Sequence, residues 1–166
     1  DEPLFNAGKG SVIGEDGSIT MEASIMRGAD KAAGSVINVT KLRHPIRAAN
    51  LILHQGWPVI INSEAADDFA IAKGLQEVSQ DWLKTELRKG QWQQWKDSKS
   101  NPGATDENDS VLDHDLESRV KTEFSDEGMG TVGAVALDNM GNLAAATSTG
   151  GMTGKPAGRV GDTPII

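Results

Sequence analysis

Thr131 stands at a junction suited to nucleophilic chemistry. It opens the apolar run Thr131-Val132-Gly133-Ala134-Val135-Ala136-Leu137-Asp138 and follows Gly130, the end of a long polar stretch. Gly130 lacks a Cβ, which permits a strained backbone and close approach to its carbonyl. Thr149 ends the next apolar run, Leu143 to Thr149, where a hairpin would let it approach Thr131. Attack of the Thr131 hydroxyl on the Gly130 carbonyl would shift the acyl group from nitrogen to oxygen, and water would then cleave the ester. The new chain would start at Thr131, with an α-amino group of reference pKa about 7.7–8.0 that serves as a base near neutral pH. One residue then supplies both nucleophile and base. A Thr at the head of a strand by itself signals only β propensity; the weight lies in the combination.

Other chemistries find less support. His44, His54 and His114 are scattered and lack metal-ligand spacing, which favours structural or solvated roles. Gly8-Lys9-Gly10 lacks the full phosphate-loop pattern. Asp106, Asn108, Ser110 and Glu117 fall on the first, third, fifth and twelfth positions of a calcium loop, but Val111 occupies the position that needs Gly. With no Cys, disulfides, thiolate zinc sites and thiol catalysis drop out.

The 166 residues carry 24 acids and 16 bases, a net −8 that argues against nucleic-acid or anionic-membrane partners. Residues 101–127 hold nine of the acids against Arg119 and Lys121, a net −7, so the remainder is nearly neutral. No apolar run approaches the roughly 20 residues needed to span a bilayer. The chain begins at Asp1 without Met and ends on Pro164-Ile165-Ile166, and both ends read as cuts through a larger protein. The expected compartment is the cytoplasm, with the periplasm as the alternative.

The elements that must position these residues read as α+β. Ser11 to Ile13 and Ser18 to Met26 are expected strands around a Gly14-to-Gly17 turn, and Glu22 and Ser24 give the second strand a polar face. Ala33 to Thr40 reads as a strand. A helix follows from Ile46 to about His54, opened by Pro45 and closed by Gly56. Val59 to Ile61 is an expected buried strand, and Ser63 an expected cap for a helix over 65–73. Ser79 to Trp95 reads as one amphipathic helix weakened at Gly90. Residues 99–130 read as an acidic flexible linker, with at most a weak helix over 112–124. A hairpin over 131–149 turns at Asn139 to Asn142.

These residues together resemble the plant-type asparaginase / isoaspartyl peptidase family of N-terminal-nucleophile hydrolases. The resemblance rests on the runs 3–10 (PLFNAGKG), 21–26 (MEASIM), 130–138 (GTVGAVALD), 142–153 (NLAAATSTGGMT) and 158–162 (GRVGD), which lie on both sides of the linker. It implies a four-layer αββα sandwich, present here as a partial chain. Residues 1–98 would be part of an α-subunit region, 99–130 the linker ending at the autocleavage site Gly130–Thr131, and 131–166 the start of a β-subunit region. Thr131 would be the nucleophile and Thr149 the residue that orients it. Arg159 would pair with the substrate α-carboxylate, Asp162 would receive its α-amino group, and Asn6 would lie beside the nucleophile. Backbone carbonyls of Glu2, Phe5, Ala7 and Lys9 would hold a structural sodium ion, with no other cofactor. Outside the resemblance, Arg159 and Asp162 would be read as a surface pair and Asn6 as a turn residue.

The implied activity is hydrolysis of the L-asparagine side-chain amide and of β-aspartyl dipeptides, by a dimer of α/β heterodimers. The alternatives are a glycosylasparaginase-like or taspase-like relative, or a truncated, uncleaved chain that only pairs with a partner. The family's chains extend further at both ends, and the Thr-Gly segment that supplies oxyanion donors has no counterpart here, so this segment alone is expected to be inactive. Gly154 also stands where the family commonly has Asn.

Overall fold

The computed structural model describes residues 2–100 and 130–165. The calcium-loop mimic, the expected 112–124 helix and nearly all of the linker lie outside the described residues.

Five strands form one sheet in the order β3-β2-β1-β5-β4. β1 (Met21–Arg27) pairs antiparallel with β2 (Ala33–Val39) and with β5 (Leu143–Thr149), while β4 (Val132–Leu137) pairs antiparallel with β5. β3 (Ile60–Asn62) lies parallel to β2 at the far edge. Helix α1 (Pro45–Gln55) crosses one face and buries Ala48, Ala49 and Ile52 against Met21, Ala23, Val36 and Val39. Gly34 permits this close crossing, since a Cβ there would meet the Ala49 carbonyl and lie 2.5 Å from the Leu53 nitrogen. Gly56 ends α1 at φ 81°, as the sequence predicts.

The opposite face is polar and closed by the chain's last segment. Ser24 Oγ donates to the Thr163 carbonyl at 2.7 Å, Thr147 Oγ1 donates to the same oxygen at 3.1 Å, and Ser35 Oγ donates to the Pro164 carbonyl at 2.8 Å. Hydroxyls on β1, β2 and β5 thus fasten residues 163–164 across three strands.

Several local expectations change. Ser11 to Ile13 is not a strand: it is buried, and its backbone bonds go to loop groups, with Val12 N–H donating to Asn6 Oδ1 and Gly154 N–H to the Ile13 carbonyl. β3 is an edge strand rather than a buried one, with Val59 46% and Ile60 41% exposed. Ser63 does not cap the next helix; it is the first residue of α2 (Ser63–Ala72), at φ 53°. Asp67 anchors that helix instead, accepting from the backbone amides of Thr40 and Lys41 and from Thr40 Oγ1.

The expected Ser79–Trp95 helix is two helices, α3 (Gln80–Leu83) and α4 (Glu86–Ser100). The break falls at Lys84–Thr85, not at Gly90, because each helix has its own hydroxyl cap. Ser79 Oγ accepts from Trp82 N–H and Thr85 Oγ1 from Arg88 N–H. α4 also continues one residue beyond Lys99, where the linker was expected to begin.

Candidate active site

The β4–β5 ladder pairs Val132 with Ser148, so its register, continued one step, sets Thr131 opposite Thr149 at one end of the sheet. Thr131 is exposed, and Gly130 has open space where a Cβ would lie. Thr131 Oγ1 lies 3.3 Å from Thr163 Oγ1, a partner that the sequence reading did not name. Thr149 is buried, and its Oγ1 accepts from Gly151 N–H at 2.9 Å. In this geometry Thr149 braces the turn after β5, while Thr163 meets the Thr131 hydroxyl.

That turn, Gly150-Gly151, is packed from both sides. A Cβ on Gly150 would lie 2.6 Å from Asn6 Oδ1 and from Ser11 Cβ. Asn6, fully buried, donates from Nδ2 to the Gly151 carbonyl at 2.8 Å, accepts from Val12 N–H at 3.0 Å, and takes Gly150 N–H on its own carbonyl at 2.9 Å. It is a structural bolt joining the loop over 2–10 to the end of β5. Asn6→Ala would orphan two buried backbone groups, each costing about 1–3 kcal/mol. A stability loss of about 2–4 kcal/mol is expected in denaturant unfolding, against little change for an exposed loop substitution such as Lys31→Ala.

The loop itself is held by Arg88 of α4, which donates from Nε to the Gly10 carbonyl at 2.6 Å and from Nη2 to the Leu4 carbonyl at 3.3 Å. The carbonyls of Pro3 and Phe5 converge on Gly10 (φ 98°) and leave no room for a Cβ. These contacts pack the backbone oxygens of Pro3 and Phe5 tightly against Gly10. Of the four carbonyls the sequence implicated, that of Phe5 joins this convergence, and that of Glu2 accepts from Phe5 N–H at 3.3 Å.

Beyond the Gly-Gly turn the chain gathers charge. Lys155 is buried and donates from Nζ to the Thr20 carbonyl at 2.8 Å and the Gly150 carbonyl at 2.7 Å. Burial pushes its ammonium down to about 8, helped by Arg159 and opposed by Glu22 and Asp16. In the unfolded chain Lys155 keeps its proton up to the ordinary range near 10.5. The unfolded state therefore binds more protons between pH 8 and 10.5, and this group's contribution to stability rises with pH there, by roughly 3 kcal/mol in all. Unfolding free energies between pH 8 and 10 should climb more steeply for the wild type than for Lys155→Met.

Arg159 is half-buried and Asp162 exposed, and among the described residues no ion pair joins them, which removes the simple surface-pair reading. The Arg159 guanidinium lies over Gly151, where a Cβ would meet its Nη1 at 3.1 Å and Lys155 Nζ at 3.2 Å. An open cleft of about 390 Å³ borders this segment, lined by Thr20, Asn38, Thr40, Ser63 and Gly158 among others. Gly158, the neighbour of Arg159, is in its lining, and Thr131 is not.

Gly154 now has a local cause. At φ 70° it lies beneath the Trp95 ring, and a Cβ would collide with that ring. The tryptophan-bearing α4 and the absence of a side chain at 154 are two halves of one contact.

The chain matches the family model described as Asparaginase over residues 1–166. It is 44% identical to the isoaspartyl peptidase of Escherichia coli over 99% of its own length and 47% of the relative's. It is 40% identical to the isoaspartyl peptidase/L-asparaginase of Homo sapiens and to that of Xenopus laevis, over 100% of its length and 48% and 47% of theirs. The chain thus spans about half the length of the curated relatives it matches.

Proposed function

Since this chain belongs to the asparaginase family, we propose that it is part of a threonine hydrolase acting on L-asparagine and β-aspartyl dipeptides. The observation that carries the reading is the register that sets Thr131, directly after Gly130, opposite Thr149, two residues before the Gly151 over which Arg159 lies. Names of the relatives support the substrate class, since those proteins are called isoaspartyl peptidases and L-asparaginases.

The chemistry has two stages. First, the Thr131 hydroxyl attacks the Gly130 carbonyl, the peptide bond shifts to an ester, and water releases a chain whose first residue is Thr131. The acidic linker over 99–130 then ends one subunit region, and 131 onwards begins another. Second, the free α-amine takes the proton from the Thr131 hydroxyl, which attacks the substrate's side-chain carbonyl. Ammonia or an amine leaves, a β-aspartyl ester remains on Thr131 Oγ1, and water hydrolyses it. The guanidinium of Arg159 matches a carboxylate with two parallel donors, and Asp162 offers an acceptor for the substrate ammonium. Thr149 and Asn6 hold the turn from which this arrangement projects.

A sodium ion on the carbonyls of Glu2, Phe5, Ala7 and Lys9 would stiffen the loop carrying Asn6 and takes no part in bond breaking. In the β-part, residues 131–166 expose Val135 (84%) and Leu137 (67%) on the edge strand β4. That edge suits the further layers of a four-layer αββα sandwich and a dimer of α/β heterodimers. Among the described residues no helix is long and apolar enough to cross a membrane.

The reading is tested by incubating the purified full-length protein with β-aspartyl dipeptides and with L-asparagine and measuring free aspartate. Release from both supports it. Release from neither, by a protein that has cleaved itself at Thr131, excludes the substrate assignment.

A further inference from the structure

Glu22 is fully buried on the polar face of β1, beside the segment that carries Arg159 and Asp162. Both carboxylate oxygens accept from a single donor, Gly161 N–H, at 3.1 and 3.2 Å. No other hydrogen bond to that carboxylate forms among the described residues, so its charge must be balanced by nearby cations. A Cβ on Gly161 would lie 3.1 Å from Glu22 Oε2 and 3.2 Å from Arg159 Nη1. The two charges are therefore no more than about 6 Å apart, within the range at which opposite charges act strongly on each other. By the same construction over Gly151, Lys155 Nζ and Arg159 Nη1 are also within about 6 Å.

The arrangement holds two cations and one buried anion. Glu22 offsets the repulsion that would drive Arg159 away from Lys155. Asp16 also acts on Lys155, and the half-buried guanidinium of Arg159 makes no ion pair among the described residues. Gly161, fixed by Glu22, lies between Arg159 and Asp162 in the chain, so a single buried carboxylate acts on both residues.

We propose that Glu22 is the positioning residue of the substrate clamp. By holding Gly161 N–H beside the Arg159 cation, it sets the spacing and charge balance with which Arg159 and Asp162 receive a free α-amino-acid end. This rests on the assignment of Arg159 and Asp162 to the substrate in the preceding subsection.

The test is Glu22→Gln in the full-length protein, with a β-aspartyl dipeptide as substrate. The amide keeps the shape and removes the charge. KM is expected to rise about tenfold or more while kcat stays within about threefold, since the altered group touches neither the nucleophile nor the leaving group. The alkaline limb of kcat/KM should also move to lower pH. Lys155 faces Glu22 on β1, Asp16 in the Gly14–Gly17 turn and Arg159, and without Glu22 one of the two acids that hold its proton is gone. Glu22→Asp should bring that limb back toward the wild-type position.

Wild-type KM and an unmoved alkaline limb in Glu22→Gln would overturn the proposal, as would a fall confined to kcat. Should Glu22→Gln not fold, Gly161→Ala replaces it, because its Cβ would crowd both Glu22 and Arg159. An unchanged KM in that variant also overturns the proposal. Self-cleavage is scored in parallel: a wild type that neither cleaves nor hydrolyses overturns the catalytic reading itself, whereas a cleaved, active wild type with indifferent Glu22 variants overturns only the role of Glu22.

Discussion

Thr131→Ala is expected to leave the full-length chain in one piece and to lower hydrolysis of L-asparagine and β-aspartyl dipeptides on the order of 10⁴-fold or more. The size follows from the double use of one residue. Removal of the hydroxyl deletes the nucleophile of the turnover reaction. It also prevents the acyl shift that frees the α-amine, so the base never forms. The chain has no Cys, and the two histidines among the described residues, His44 and His54, lie in or beside α1, away from β4. Thr131→Ser retains the hydroxyl and should still cleave, more slowly, because Ser lacks the methyl group that restricts χ1. Thr163→Ala removes only the hydroxyl 3.3 Å away. It should slow self-cleavage without abolishing it. Mass spectrometry of the three variants, with aspartate release measured on the same samples, checks the series.

Arg159→Ala should carry the second largest effect, raising KM for either substrate by about 10²–10³-fold. A guanidinium that meets a carboxylate through two charge-assisted bonds provides roughly twice what neutral bonds would. Its removal also leaves Glu22 with Lys155 as its one remaining cation of the pair. Arg159→Lys should recover little, because an ammonium offers a point charge where the substrate carboxylate meets a planar fork. Self-cleavage at Gly130–Thr131 should persist in both variants, since the scissile bond is not recognised through a free α-carboxylate. Steady-state kinetics on the cleaved protein would separate the KM effect from any change in kcat.

Local pattern carried much of the fold. Pro45 and Gly56 bracket α1, the Val and Ile content marks β2, and Asn139 to Asn142 turn the β4–β5 hairpin. The misread places are those where a non-local partner decides. Ser11 to Ile13 has strand composition, but Asn6 and Gly154 take its hydrogen bonds. Val59 and Ile60 look like core by composition, yet they lie at the sheet's edge, a position fixed by topology. Two hydroxyl caps, Ser79 and Thr85, outweigh the continuous apolar stripe that suggested one helix.

The candidate site divides in the same way. Thr131 and Thr149 stand out from their runs, whereas Asn6, Arg159 and Asp162 are marked only by the family resemblance; Asn6 and Arg159 both meet the Gly150-Gly151 turn after β5. Glu22, Lys155 and Thr163 did not stand out as site residues. Glu22 left a trace in the polar alternation of β1, but alternation indicates a face and not what covers it. Lys155 in isolation reads as a solvated lysine, and only the fold shows the Thr20 and Gly150 carbonyls around its ammonium. Thr163 reaches Thr131 because hydroxyls on three strands hold residues 163–164 in place, and such long-range stitching has no local signature.

The central claim is that Thr131 becomes an N-terminus. N-terminal sequencing of the fragments in freshly purified full-length protein tests it most directly. The account expects a fragment beginning Thr-Val-Gly-Ala-Val, with aspartate-releasing activity rising in step with its appearance. A protein that hydrolyses β-aspartyl dipeptides while Gly130 and Thr131 remain joined would contradict it.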